Sequence, residues 1–152
     1  MKQIKIMKRA IIFRGKDLRT NKWTYGWFVP ILGEADSILV KDVRRGVSEN
    51  MAPFTYSYSR VKSSTIGQYT GIKDKNGTKI FEGDILKDND VCFTVFYADG
   101  GFAIESNPTH FGYGYQGGSN PRESLSDMQT GSYVESNCEV VGNIFDNKSL
   151  LK

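Results

Sequence analysis

Cysteine, proline and histidine are scarce in this 152-residue chain, which has two Cys, four Pro and one His. Cys92 and Cys138 stand far apart, without the paired spacing of a zinc knuckle or a redox motif, which argues against a metal site built on them. A nucleophilic cysteine would want an activating histidine, and His110 is the single one available. Long hydrophobic runs are missing too. No window approaches the roughly 20 apolar residues of a membrane span, and the apolar run from Ala10 to Phe13 is too brief for a signal-peptide core. The expectation is a cytoplasmic protein with reduced thiols and no membrane association. There is no block of one charge: 20 Lys and Arg are scattered among 17 Asp and Glu, for a net +3, so nucleic-acid binding is permitted and not demanded.

What is abundant is glycine. Sixteen Gly against four Pro favour many turns between short strands, so the expected fold class is mainly β. The length suits one domain, 1–152, able to bury about two thirds of its unfolded surface. Ala10 to Phe13 and the alternating Trp23, Tyr25, Trp27 and Val29 predict an N-terminal β-hairpin with an aromatic face, joined by a turn over Lys16 to Lys22. That face reads first as buried core. Its second reading is a stacking platform for bases, given Arg14, Lys16, Arg19 and Lys22 around it. Ser37 to Val43 predicts a strand ending in a turn at Arg44-Arg45-Gly46. Phe54, Tyr56 and Tyr58 alternate with small polar residues behind Pro53, which suggests an edge strand.

The stretch from Thr65 to Lys87 carries the strongest turn signals. Asp74-Lys75-Asn76-Gly77 should join two short strands, with Asp bonding the backbone ahead of it. Gly67, Gly71 and Lys73 fail as a phosphate loop on spacing and on the lack of a following helix. Asp74, Asn76 and Glu82 fail as a calcium loop on ligand spacing. Glu82 and Asp84 are weak metal-ligand candidates, and an enzyme reading would make the protein a metal-dependent hydrolase using Glu82, Asp84 and His110. The structural alternative has Asp84 tying the turn at Gly83 by accepting backbone N–H bonds. Gly67, Gly71, Asp74, Gly77, Gly83 and Asp84 are therefore expected to form a structural junction, with no catalytic residue and no cofactor.

Val91 to Glu105 predicts a hairpin turning at Asp99-Gly100-Gly101, with its first strand central because both faces are apolar. A long loop should follow from Asn107 to Asn137, holding Phe111, Tyr113 and Tyr115 between glycines and one helical turn at Glu123 to Met128. Cys138 to Phe145 predicts a last strand.

The segments FRGKDLRTNKWTYGWF, TIGQYTGIKDKNGTKIFEGDILK, ADGGF and EVVGNIFDN occur in an order that resembles the YopX family of phage and prophage proteins. The resemblance covers both ends and the centre, and it leaves 44–62 and 107–137 unaided. Met7-Lys8-Arg9-Ala10 resembles the family's opening better than Met1 does, which makes residues 1–6 an extension. It implies a β-rich fold with an N-terminal β region at about 8–64 and a partly open, SH3-type barrel at about 65–147. It brings no activity and no catalytic set. The leading functional expectation is a non-catalytic accessory module that binds a protein or nucleic-acid partner through Lys16, Arg19, Trp23, Tyr25, Trp27, Tyr113 and Tyr115. A structural or homo-oligomeric component is a further class.

Overall fold

Antiparallel pairing of the strands builds two sheets. The computed structural model describes residues 10–30, 36–45, 54–106 and 122–151. The first sheet holds β1 (Phe13–Lys16), β2 (Trp23–Pro30), β3 (Asp36–Arg45), β4 (Phe54–Lys62), β5 (Gly67–Lys73) and β6 (Lys79–Phe81), in the order β4-β3-β2-β1-β5-β6. The second holds β7 (Asp84–Asp88), β8 (Val91–Ala98), β9 (Gly101–Ser106), β10 (Arg122–Ser124) and β11 (Glu139–Asn143), in the order β10-β9-β8-β7-β11. The fold is mainly β. The barrel expected for 65–147 is not closed: β10 and β11 lie at opposite edges of the second sheet and do not pair.

That sheet is covered instead by a helix, α1 (Met128–Asn137), which replaces the single turn expected at Glu123 to Met128. Leu125 and the fully buried Val134 join Ile80, Leu86, Val95 and Ile104 in one core. Two devices set the helix. The Asp127 carboxylate caps it, accepting the N–H groups of Gln129 at 2.8 Å and Thr130 at 3.3 Å. Gly131 lets it approach the chain, since a Cβ there would stand 3.1 Å from the Leu125 carbonyl oxygen. Helix-poor residues such as Thr130 and Gly131 hide the element from periodicity.

Elsewhere the strand boundaries move. β1 starts at Phe13, leaving Ile11 exposed, and β3 runs straight through Arg44 and Arg45, whose partners on β4 are Thr55 and Phe54. β4 is an edge strand, and β8 is the middle strand of its sheet. The β8–β9 hairpin turns on Asp99 and Gly100, with φ of 52° and 81°, between the paired Ala98 and Gly101. Positive φ at both central residues matches the right-handed twist of the flanking strands.

The β5–β6 turn is stapled in two directions. Asp74 Oδ1 accepts the N–H groups of Asn76 at 2.9 Å and Thr78 at 2.8 Å, while Oδ2 accepts that of Val140 on β11 at 2.9 Å. Burial alone would raise the Asp74 carboxyl, but the N–H donors of Val140, Thr78 and Asn76 outweigh it and hold it below 3.8. A folded-state value below the unfolded one gives stability that is present above about pH 4 and lost as pH falls through the folded value. Asp74→Asn is expected to cost about 2 kcal/mol at pH 7, the scale of hydrogen bonds to a charged group. Urea denaturation across pH 2–7 should show a smaller acid loss for the variant than for the parent; equal losses would remove Asp74 from the acid sensitivity.

Candidate functional site

The register of β1 on β2 pairs Arg14 with Tyr25 and Lys16 with Trp23, so two cations and two rings share one face. The Arg14 guanidinium lies 4.6 Å from the Trp23 ring centre and 5.1 Å from that of Phe81. Its Nη2 stands 2.6 Å from Asp84 Oδ1, an ionic contact, and donates to the Glu82 carbonyl at 3.2 Å. Asp84 Oδ2 accepts the Phe81 N–H at 2.7 Å. Both charged side chains are buried, Asp84 to 1% exposure. Burial pushes the Asp84 carboxyl above its ordinary value, against the pull of Arg14 and of the Phe81 N–H.

Next to this pair, Asp146 gathers three donors. It accepts Trp23 Nε1–H at 2.9 Å and Asn143 Nδ2–H at 3.2 Å, and it forms an ion pair with Lys16. The Lys16 and Trp23 contacts hold its carboxyl below 3.8. Asn143 Oδ1 in turn accepts the N–H groups of Phe145 and Asp146, and the Phe145 ring tilts against Trp23 at 5.8 Å. The chain after β11 is thereby bound to the start of the first sheet.

Farther along β2 the rings emerge. Tyr25 and Trp27 are 50% and 53% exposed. Trp27 pairs with Val40 on β3, and Val40 with Tyr58 on β4, which is 61% exposed, so a row of two rings with a valine between them crosses three strands. The core reading of this face is corrected: the buried face of these strands carries Leu39, Ser59, Val61 and Thr24, on the opposite side of the register. Beside the row lies an open groove of about 730 Å³, between the β1–β2 turn and strands β3 and β4. Arg19, Lys22, Lys41 and Arg60 line it, with Trp23 and Tyr58. The buried Thr24 and Ser59 form part of its wall. The Leu18 N–H, donated to the Arg60 carbonyl at 3.0 Å, ties the turn to β4 and shapes the opening.

The YopX protein family matches residues 12–152. The chain belongs to the YopX family. No curated protein matches it. Among solved structures, the crystal structure of protein EF1440 from Enterococcus faecalis is similar, with a TM-score of 0.57 and 24% identity over 94% of this chain and 99% of that one. That likeness shows the fold alone.

In this YopX chain the residues singled out by sequence divide into groups. Lys16 and Trp23 are engaged by Asp146; Tyr25 and Trp27 stand half-exposed on β2; Arg19 is exposed on the β1–β2 turn. Tyr113, Tyr115 and His110 lie outside the described residues. Gly67 begins β5 against the Glu82 carbonyl, and Gly71 falls where the β5–β6 register shifts. Gly77 donates its N–H to the Asp74 carbonyl, and Gly83 donates to Val95 and accepts from Ile144. Of the metal-ligand candidates Glu82 and Asp84, the Asp84 oxygens face Arg14 and the Phe81 N–H, and among the described residues no group of three or more His, Cys, Asp or Glu could hold a metal. Both cysteines are buried, and burial pushes the Cys138 thiol up to about 12. Sequence reasoning missed the partnership of Arg14 with Asp84, which has no local signal. It also missed Lys41, Tyr58 and Arg60 as one surface, because their proximity arises only from the pairing of β3 with β4.

Proposed function

We propose that this YopX chain is a phage or prophage accessory protein, working in the bacterial host cytoplasm as a single-domain, non-catalytic binding module. The observation that carries this reading is the half-exposed Trp27 and Tyr58 on either side of Val40, with Tyr25 beside them, on strands whose other side carries the buried Thr24, Leu39, Ser59 and Val61. Exposed rings in a cluster are characteristic of contact surfaces, where aromatic residues contribute large apolar area at low entropic cost. The non-catalytic part rests on Asp84, whose carboxylate is committed to Arg14 and the Phe81 N–H and so is poorly disposed for acid–base or metal work.

The test is retention from host lysate on immobilised protein, with and without nuclease, comparing the parent with a Tyr25→Ala/Trp27→Ala variant. The parent should retain a macromolecule that the variant loses, while circular dichroism shows both folded. Identical retention by the two proteins would sink the assignment of this face.

A further inference from the structure

Resting on that reading of the face as a binding surface, we propose that its groove takes single-stranded nucleic acid, with phosphates over the basic wall and a base against Tyr58. Among the described residues the wall carries the exposed cations Arg19, Lys22 and Lys41, with Arg60 beside them. The lining holds one acid among the described residues, Asp17, and its carboxylate is engaged by the turn itself. Asp17 Oδ1 accepts the N–H groups of Arg19 at 3.0 Å and Thr20 at 2.9 Å. The Thr20 N–H first, and then the Ser59 hydroxyl, hold that carboxyl below its ordinary value. The groove is therefore a cationic surface with a polar, buried wall at Thr24 and Ser59, complementary to a chain of phosphates.

The rings decide between polyanions. An acidic peptide would satisfy the cations and leave Tyr58, 61% exposed, without a partner of matching shape. A nucleotide supplies both an anion and a flat π surface, and stacking on an aromatic side chain tolerates any base. Trp27 lies on the same face, across Val40 from Tyr58. A base must leave its stack to meet Tyr58, which favours a single strand over a duplex. A groove of about 730 Å³ suits a short run of nucleotides, being in the general range of small-ligand sites.

Fluorescence anisotropy with a labelled oligothymidylate, and with a duplex as competitor, tests this on the full chain. Neutralising about three phosphates on a single strand predicts a slope of log K against log salt of roughly −2. An Arg19→Ala/Lys22→Ala/Lys41→Ala variant should lose most of that slope. Tyr58→Ala should weaken binding roughly tenfold, the scale of one lost base stack, and leave the slope unchanged. All four substituted side chains are exposed, so thermal melts should stay close to the parent. Absence of binding at low salt, a flat salt response, parent-like affinity of the Tyr58→Ala variant, or preference for the duplex would each overturn the proposal. Nuclease-resistant lysate retention that depends on Tyr25 and Trp27, alongside no oligonucleotide binding, would leave the binding-module reading standing and remove this one.

Discussion

Arg14→Ala is expected to lower stability by about 3–5 kcal/mol, because it leaves the Asp84 carboxylate buried without its cation. At about 2–4 °C per kcal/mol for a domain of this size, Tm should fall by roughly 6–20 °C. The variant also loses the guanidinium packed over Trp23 and Phe81, contacts that contribute whether or not Asp84 is charged. The pH dependence separates the two effects. Burial already raises the Asp84 carboxyl in the parent, and without Arg14 it should rise further. A group with a raised folded-state value contributes most below its unfolded value and loses that contribution as pH rises through the folded one. The deficit of Arg14→Ala should therefore be larger at pH 7 than near pH 5 in urea denaturation. An equal deficit at both would assign the loss to packing alone.

Gly67→Ala should cost at least about 1–3 kcal/mol, by forcing β5 off the β6–β7 turn. A Cβ at Gly67 would press into the Glu82 carbonyl, closer than real Cβ atoms come, with the carbonyl carbon at 3.2 Å. The obstacle is backbone, so no side-chain rotation relieves it. The same carbonyl receives the Arg14 guanidinium, so the two substitutions share a partner. Combining them should destabilise less than the sum of the single effects, since either one already breaks that bond. Gly101→Ala is the contrast, having nothing within 4 Å of the added carbon, and should stay within about 0.5 kcal/mol of the parent. A melt of Gly67→Ala that matches Gly101→Ala would show that the turn yields freely.

Features written in a few consecutive residues were legible in the sequence. Asp74 and Gly77 specify their turn through bonds made within five residues, and Asp99-Gly100 fixes the hairpin register by its own dihedral angles. The central position of β8 followed from apolar residues on both its faces. The outward display of Tyr25 and Trp27 did not follow, because alternation says that they share a side and is silent on which side is buried. That choice is made by Leu39 and Val61 on later strands. α1 was hidden by Gly131, a residue that weakens the helical pattern and is placed there for a close approach to Leu125. Arg14 and Asp84 meet through tertiary packing alone, so neither residue type nor spacing announces the pair. The cover of the second sheet is tertiary in the same way: Val134 from the helix joins Leu86, Val95 and Ile104 of three strands in one core.

The clasp of Asp146 on Lys16 and Trp23 also bears on the order in which the molecule is made. Its partners are separated by 130 and 123 positions, so synthesis must run past Asp146 before the clasp can close. On a ribosome adding roughly 5–20 residues per second, that leaves many seconds in which β1 and β2 have emerged without it. During that interval the Trp23 indole N–H and the Lys16 ammonium have only water to satisfy them. The first sheet thus waits for Asp146, and a ribosome stalled before Asn143 would display an unfinished aromatic surface to whatever chaperone or protease is nearest.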